Sequence, residues 1–149
     1  MTIETKAYGE IDIDERQLVD FPVGLFGFEN LRKFALLDAH QQPFYWLQSL
    51  EETDVAFVLL DPLVFRPDYT FDAPEADIEA LGADNHEDLL VFCIVTIPED
   101  ERQMTANLQG PLVIHRKKRI GRQIISTNPK WVIRHNVHDE LTRMRSDAC

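Results

Sequence analysis

The chain has 149 residues, a net charge of −11 at pH 7, 44% hydrophobic residues and 28% charged residues. This length suits one domain with a hydrophobic core, and the composition excludes a chain that is disordered throughout. No apolar run approaches the roughly 18 residues that cross a bilayer. The acidic N-terminus lacks the apolar core of a signal peptide, so we expect a cytoplasmic protein without a membrane partner.

Cysteine usage and charge narrow the range of partners. Cys93 lies inside an apolar run and is expected to be a buried thiol, while Cys149 is the last residue, so we expect neither a zinc motif nor a disulfide. Residues 1–100 hold 22 acidic and 5 basic residues, whereas residues 101–149 hold 4 acidic and 10 basic residues. Phosphate binding depends on basic residues, so this charge argues against direct nucleic-acid binding. It favours a basic protein partner, although an acidic surface also keeps a protein soluble.

Short runs of β-branched and aromatic residues, separated by turn signals, predict an antiparallel barrel or sandwich. Near the N-terminus, Ile11 and Ile13 alternate with aspartates, as in a strand with one solvated face. In chain order, the predicted strands are Ile3–Ala7, Glu10–Ile13, Gln17–Phe21, Lys33–Leu37, Phe44–Leu50, Val55–Leu60, Leu89–Ile97, Met104–Leu108, Leu112–His115 and Arg122–Thr127. Trp131–His135 is either a last strand or part of the closing segment.

Three segments support more specific predictions. Val55–Leu60 has no polar residue and is predicted to be a central strand covered on both faces. The glycine-containing loop Pro22–Gly27 is expected to be anchored by burial of Phe26 and Phe28. Acidic residues near the start and a glycine after the end predict a short helix over Pro74–Leu81.

The predicted fold class is therefore mostly β. We expect a single small antiparallel β-barrel-like domain over residues 1–137, with one or two short helices. The remainder, residues 138–149, is expected to be a C-terminal tail that can form a short helix over His138–Arg145. No internal repeat, low-complexity tract or linker divides the chain further.

Motifs for catalysis and metal binding are missing from the sequence. The segment Gly24–Gly27 lacks the Lys-Ser/Thr of a P-loop, and there is no Gly-x-Ser-x-Gly elbow. His135 and His138 have only Asp139 beside them as a third ligand, so surface histidines are the better interpretation. We expect no enzyme activity, no cofactor and no metal.

The segment Arg116–Arg119 is a run of four basic residues between two predicted strands. It supports an alternative function, an RNA- or anion-binding module. A solvated hairpin tip accounts for the same residues, and the acidic remainder of the chain would repel RNA.

An ordered series of loop sequences carries more information than any single motif. It runs through Phe21-Pro22-x-Gly24-Leu25-x-Gly27-Phe28-Glu29, Pro43-Phe44-x-Trp46-Leu47-Gln48-Ser49-Leu50, Ala56-Phe57, Asp61-Pro62, Pro67-Asp68-Tyr69, Met104-Thr105-Ala106-Asn107-Leu108-x-Gly110-Pro111, Gly121-x-Gln123 and Arg134-His135. This order resembles the FliW flagellar assembly factors from about Gly9 to His135. Gly110 and Trp131 are mild departures, at positions where the family more often has Ala and Tyr.

The resemblance implies a barrel-like protein without catalytic activity that binds the RNA-binding translational regulator CsrA. Binding relieves the repression of flagellin translation by CsrA, and flagellin is implied as a competing partner whose export frees the protein for CsrA. The resemblance also favours an allosteric contact away from the RNA-binding surface of CsrA. We expect the free protein to be monomeric.

Two groups of residues are candidates for partner binding. The first surrounds a proline-interrupted strand, and the second is predicted to form an exposed edge. Asn107 either offers its amide to a partner or caps a turn internally, and both readings remain open. The candidates are Met104, Thr105, Asn107, Leu108 and Pro111 in the first group and Pro67, Asp68 and Tyr69 in the second.

Overall fold

The computed structural model describes residues 1–147, with residues 144–147 described by their backbone alone, so the prediction for Cys149 lies outside it. The strands are β1 (Thr2–Thr5), β2 (Gly9–Asp12), β3 (Leu18–Asp20), β4 (Lys33–Asp38), β5 (Tyr45–Ser49), β6 (Ala56–Leu60), β7 (Leu89–Thr96), β8 (Thr105–His115), β9 (Gly121–Gln123) and β10 (His135–Asn136). The α-helices are α1 (Glu75–Ala80) and α2 (Val137–Asp147). Short 3-10 turns lie at Glu15–Gln17, Pro62–Val64, His86–Asp88 and Glu101–Gln103.

The main sheet curls into a nearly closed barrel. Its order is β10-β8-β7-β6-β5-β4-β3, with β9 paired to the second half of β8, and all these pairs are antiparallel. The backbone N–H of Asp20, at the end of β3, donates to the carbonyl of Arg119 at 3.0 Å. Asp20 also bridges Ile120 next to β9, which brings the two ends of the sheet together. The predicted mostly β, barrel-like fold with short helices is therefore confirmed.

Alternating side chains from each strand fill the barrel interior, as the period of two along a strand requires. The phenyl ring of Phe34 meets that of Phe21 edge-on, with ring centroids 5.3 Å apart. Most of the inner side chains are fully enclosed, which makes this cluster the main hydrophobic core. It contains Val19, Phe21, Leu25, Leu31, Phe34, Leu47, Leu59, Phe92, Leu112 and Ile114.

Two further layers cover the outside of the barrel. The β1–β2 hairpin places Ile3 and Ile13 against the outer side of β4. The segment that follows β6, together with Trp131 and the start of α2, covers the outer side of β6, β7 and β8. Cys93 lies in this second layer, where burial raises the pKa of its thiol, as expected for a buried cysteine.

Strand β8 corrects one prediction. The sequence suggested two strands separated by Gly110-Pro111, but Thr105–His115 forms one continuous strand. Phe92 of β7 pairs with Leu112, and Ile94 pairs with Asn107, so residues 108–111 bulge outward opposite a single residue of β7. Pro111 has no N–H for a ladder hydrogen bond, and a bulge is a place where a strand accommodates proline.

Strand β6 is central in the sheet, as predicted, but it is not covered on both faces along its whole length. Leu59 and Leu60 are buried, whereas Phe57 and Val58 are only half-buried. The reason is that Phe57 faces an open end of the barrel and Val58 faces a groove on the outside.

The last predicted strands are shorter than the sequence suggested. The strand predicted over Arg122–Thr127 ends at Gln123. Of Trp131–His135, for which a strand and a closing segment were both open, only His135 joins a strand, the two-residue β10. Both segments follow the irregular bulge of β8 through isolated backbone hydrogen bonds, such as Ser126 N–H to the carbonyl of Gln109 at 2.8 Å. A bulged strand offers no regular ladder for them to join.

Candidate protein-binding surface at the barrel mouth

One end of the barrel opens to solvent, and we call this end the mouth. Its walls come from the inner faces of β6, β7 and β8 on one side, and from the loop after β3 and the segment before β10 on the other. The cavity that they enclose is about 360 Å³. The lining residues are Leu25, Phe26, Phe57, Ile94, Thr96, Thr105, Asn107, Gln123, Ile133 and Arg134.

Two large apolar side chains at the mouth face solvent. Phe26 is 54% exposed and Ile133 is 59% exposed. The expectation that Phe26 anchors its loop by burial is therefore wrong. Leu25 takes that role, since it is only 1% exposed inside the barrel, and Phe28 packs edge-on against Phe57 at 5.2 Å.

The backbone of the loop explains why Phe26 points outward. Leu25 and Phe28 exchange hydrogen bonds, with Phe28 N–H donating to the carbonyl of Leu25 at 2.7 Å, so Phe26 and Gly27 form the tip of a tight turn. Gly24 has a φ of +68°, a left-handed conformation that side chains strain. A Cβ on Gly24 would also lie within 2.7 Å of backbone atoms of the same loop.

Two buried or half-buried amides hold the mouth together. The backbone N–H of Phe26 donates to Oε1 of Gln123 at 2.9 Å, and Nε2 of Gln123 donates to the carbonyl of Gly110 at 3.0 Å. Oδ1 of Asn107 accepts from the backbone N–H of Gln109 at 3.1 Å and from that of Gly110 at 2.9 Å. The side-chain carbonyl of Asn107 therefore closes the bulge of β8. These hydrogen bonds support one of the two roles predicted for Asn107, that of capping a turn within the protein. The sequence does not single out Gln123 as a site residue, although Gly121-x-Gln123 belongs to the ordered loop sequences that carry the resemblance.

The first group of predicted binding residues is divided by the fold. Thr105 and Asn107 are half-buried and line the mouth. Met104 lies in a separate groove on the outside of the sheet, beside Trp46 and Ile97. Leu108 and Pro111 are buried, and Leu108 belongs to the outer core together with Trp131, so their side chains are not available to a partner.

The second group, Pro67, Asp68 and Tyr69, is exposed only in part. Pro67 and Asp68 are exposed, but Tyr69 is buried and its ring lies 4.9 Å from that of Trp131. The prediction of an exposed edge is therefore wrong for Tyr69, because its ring completes the outer core. Burial raises the pKa of Tyr69, and its hydroxyl has no hydrogen-bond partner among the described residues.

Asp68 belongs to an ionic cluster that fastens the C-terminal segment to the barrel. Arg66 donates to both carboxylate oxygens of Asp68 at 2.9 and 2.8 Å, and Lys130 binds the same carboxylate at 2.6 Å. These two cations hold the pKa of Asp68 well below its usual range. Arg66 also lies 4.9 Å above the ring of Trp131 and pairs with Glu140 of α2.

The C-terminal helix therefore begins on the barrel and not in a separate tail. It starts at Val137, which is buried, and continues to Asp147, two residues beyond the predicted end of the helix. Nδ1 of His135 lies 3.0 Å from the carboxylate of Glu140, and Nε2 of His135 accepts the backbone N–H of Val132 at 3.0 Å. These contacts give His135 a structural role.

The basic segment Arg116–Arg119 forms the tip between β8 and β9. Nζ of Lys118 donates to the carbonyl of Gly82 at 2.7 Å, and Nε of Arg119 donates to the carbonyl of Leu18 at 3.4 Å. Partial burial lowers the pKa of Arg119. Arg119 therefore serves the seam that closes the barrel, and Lys118 ties the tip to the loop after α1. Because at least two of the four basic residues have these internal contacts, the case for an RNA- or anion-binding module is weakened.

Residues 1–147 contain no group of three His, Cys, Asp or Glu side chains arranged to hold a metal ion. In the same residues, no helix combines the length and the apolar character needed to span a membrane.

The fold and the site define a small, nearly closed antiparallel β-barrel with an apolar mouth that faces solvent. The model of the family described as FliW protein matches residues 2–137, and the chain belongs to this family. A flagellar assembly factor FliW from Treponema denticola is 42% identical over 141 residues, which cover 95% of this chain and 96% of the relative. A flagellar assembly factor FliW from Leptospira interrogans is 41% identical over 139 residues, which cover 92% of this chain and 93% of the relative.

A solved structure supports the same assignment. It is described as the crystal structure of the flagellar assembly factor FliW, and it matches with a TM-score of 0.85 at 35% sequence identity. The match covers 92% of this chain and 96% of that chain. The resemblance read from the loop sequences is thereby confirmed.

Proposed function

We propose that this protein is a cytoplasmic flagellar assembly factor that binds the translational regulator CsrA and so relieves its repression of flagellin translation. Flagellin competes for the same protein, so that export of flagellin frees it for CsrA. Membership of the FliW family supports the flagellar role. The observation that carries the proposed mode of action is the apolar mouth, where Phe26 and Ile133 are more than half exposed.

The mouth has the character of a protein-binding site. Aromatic and aliphatic anchors that face solvent beside a cavity are typical of surfaces that bind a partner. Thr105 and Asn107 add polar groups to the same walls, and the described residues offer no acceptor to Nδ2 of Asn107. An apolar partner side chain placed between Phe26 and Ile133 would lie within reach of these groups.

Charge supports a basic partner such as an RNA-binding regulator. The first 100 residues carry 22 acidic and 5 basic residues. Glu29 follows the turn that carries Phe26, where its carboxylate accepts the backbone N–H of Gly27 at 3.1 Å, and this hydrogen bond lowers the pKa of Glu29. Complementary charge accelerates association, and salt weakens the effect, so we expect CsrA to bind less tightly as ionic strength rises.

Calorimetric titration of purified CsrA and of purified flagellin tests the proposal. We expect both to bind, flagellin to displace CsrA, and Phe26→Ser or Ile133→Ser to weaken binding by about tenfold or more, as for a well-placed apolar anchor. Val23→Ser is the matched control, because Val23 lies in the same loop with the same exposure of 54% as Phe26 but does not line the mouth.

The outcomes separate function from location. If neither protein binds at micromolar concentration and low salt, the proposed function is wrong. If both bind the Phe26→Ser and Ile133→Ser variants as tightly as the unaltered protein, the function stands and the mouth is not the site.

A further inference from the structure

Strand β7 has an open edge at the opposite end of the barrel from the mouth. The last pair between β6 and β7 joins Leu60 to Cys93. Strand β7 extends further back, and its first four residues pair only with β8. Leu89–Phe92 therefore has no neighbouring strand on its β6 side among the described residues.

The direction of the backbone groups along this edge follows from the pairing of β8. His115 N–H donates to the carbonyl of Ile120, and the carbonyl of Pro111 accepts from Ile124 N–H, so both β8 residues face β9. Backbone groups alternate between the two sides of a strand, so Leu112 and Ile114 face β7.

The same alternation fixes the open side of β7. Leu90 and Phe92, which pair with Ile114 and Leu112, direct their N–H and C=O groups toward β8. Val91 directs both its N–H and its C=O to the open side, and Leu89 directs its C=O there, while the N–H of Leu89 already donates to His86. A donor and two acceptors therefore lie along the open edge.

Strand β6 does not cover this edge because of the residues that end it. The carboxylate of Asp61 accepts the backbone N–H of Leu63 at 2.9 Å and starts a 3-10 turn at Pro62, which has no N–H to continue the ladder. The chain turns away and leaves a cavity of about 360 Å³ between the turn and the edge. Leu63, at the rim of this cavity, is 54% exposed.

We propose that the open edge of β7 binds an extended apolar segment of a partner protein by strand addition. A segment in this position would exchange two hydrogen bonds with Val91 and donate a third to the carbonyl of Leu89, while its apolar side chains occupy the cavity beside Leu63. Exposed carboxylates flank the site, Asp61 at the turn and Glu87 just before the edge, so the segment carries basic residues at its ends.

This charge also argues against a second copy of the chain as the occupant. Two copies joined edge to edge would bring like carboxylates together, which is unfavourable without compensating cations. The site lies outside the mouth, and its test uses neither CsrA nor flagellin, so it stands or falls independently of the proposed function.

Amide hydrogen exchange measured by NMR tests the open edge in the free protein. We expect the N–H of Val91 to exchange at least about tenfold faster than those of Leu90 and Phe92, since only the latter two are bonded to β8. Equal protection of all three amides in a dilute sample would overturn the proposal. Protection of Val91 that grows with protein concentration would also overturn it, because the occupant would then be a second copy.

The binding step uses the probe peptide acetyl-Lys-Val-Thr-Val-Thr-Val-Lys-amide at about 1 mM, a concentration suited to weak binding by a short segment. We expect it to slow the exchange of Val91, and we expect Leu63→Lys to abolish this protection by placing a like charge at the rim. Val64→Lys is the matched control in the same turn, because Val64 is exposed but does not line the cavity. Failure of the peptide to protect Val91, or equal protection in the Leu63→Lys variant, would refute the site.

Discussion

Replacement of Asn107 separates its structural role from a role in binding. In Asn107→Ala, the two backbone N–H groups that close the β8 bulge lose the carbonyl that accepts them at 3.1 and 2.9 Å. A hydrogen bond contributes about 0.5–1.5 kcal/mol, and the half-buried position lets water replace part of the loss, so we expect a fall of about 1–2 kcal/mol in the free energy of unfolding. For a chain of this size, that corresponds to a drop of about 2–8 °C in Tm.

Asn107→Asp is the informative companion. A carboxylate accepts the same two hydrogen bonds, so urea denaturation is expected to show most of the stability restored, but it cannot donate as the amide Nδ2 does. If Asn107→Asp matches the unaltered protein in both stability and affinity for CsrA, Asn107 acts only through the bulge. If it matches in stability but binds CsrA less tightly, Nδ2 contacts the partner. An Asn107→Ala variant within about 0.5 kcal/mol of the unaltered protein would refute the role of the carbonyl in the bulge.

Three further predictions concern stability. Gly24→Ala is expected to lower the free energy of unfolding by at least about 2 kcal/mol, because the left-handed φ and the crowded Cβ position both oppose a side chain, whereas Gly27→Ala, with open space at its Cβ, is expected to lose only about 1 kcal/mol. Tyr69→Phe, followed by urea denaturation, is expected to leave stability unchanged or to raise it by up to about 1 kcal/mol, because the buried hydroxyl has no partner among the described residues; a loss of similar size would show that the hydroxyl is bonded. Asp68→Asn is expected to lower the free energy of unfolding at pH 7. Because the pKa of Asp68 is depressed in the folded state, the difference in stability between the variant and the unaltered protein is expected to shrink as the pH falls below about 4. A difference that stays constant down to pH 2 would contradict the ion pairing.

The sequence predicted the strands well where pattern and turn residues agree. The predicted strands Leu89–Ile97 and Lys33–Leu37 agree with the structure to within one residue at each end, because apolar runs closed by proline or polar residues leave few alternatives. The sequence does not predict the β8 bulge, because Gly110-Pro111, seen without the neighbouring strands, indicates the end of a strand. Only pairing with β7 on one side and β9 on the other keeps that segment extended.

The candidate site was harder to predict than the fold. Phe26 and Phe28 have similar surroundings in the sequence, yet one is exposed and the other packs on Phe57. Hydrophobicity does not distinguish a buried anchor from an exposed side chain, because burial depends on which side of the turn each residue occupies. The burial of Tyr69 is not predictable from its neighbours in the sequence either, because Trp131, whose ring packs against it, is distant in the sequence.

The polar contacts at the mouth form one continuous series. Oδ1 of Asn107 accepts from Gly110 N–H, the carbonyl of Gly110 accepts from Gln123, and Oε1 of Gln123 accepts from Phe26 N–H. The backbone that carries the exposed phenyl ring of Phe26 is therefore tied to the bulge of β8 through the buried side-chain amide of Gln123. If Phe26 contacts a partner as proposed, its backbone loses little freedom on binding, which favours affinity. This connection also explains why a change at Asn107 is expected to reach a partner even if its own side chain never touches one, and it makes the comparison of Asn107→Ala with Asn107→Asp the sharpest test of the mouth.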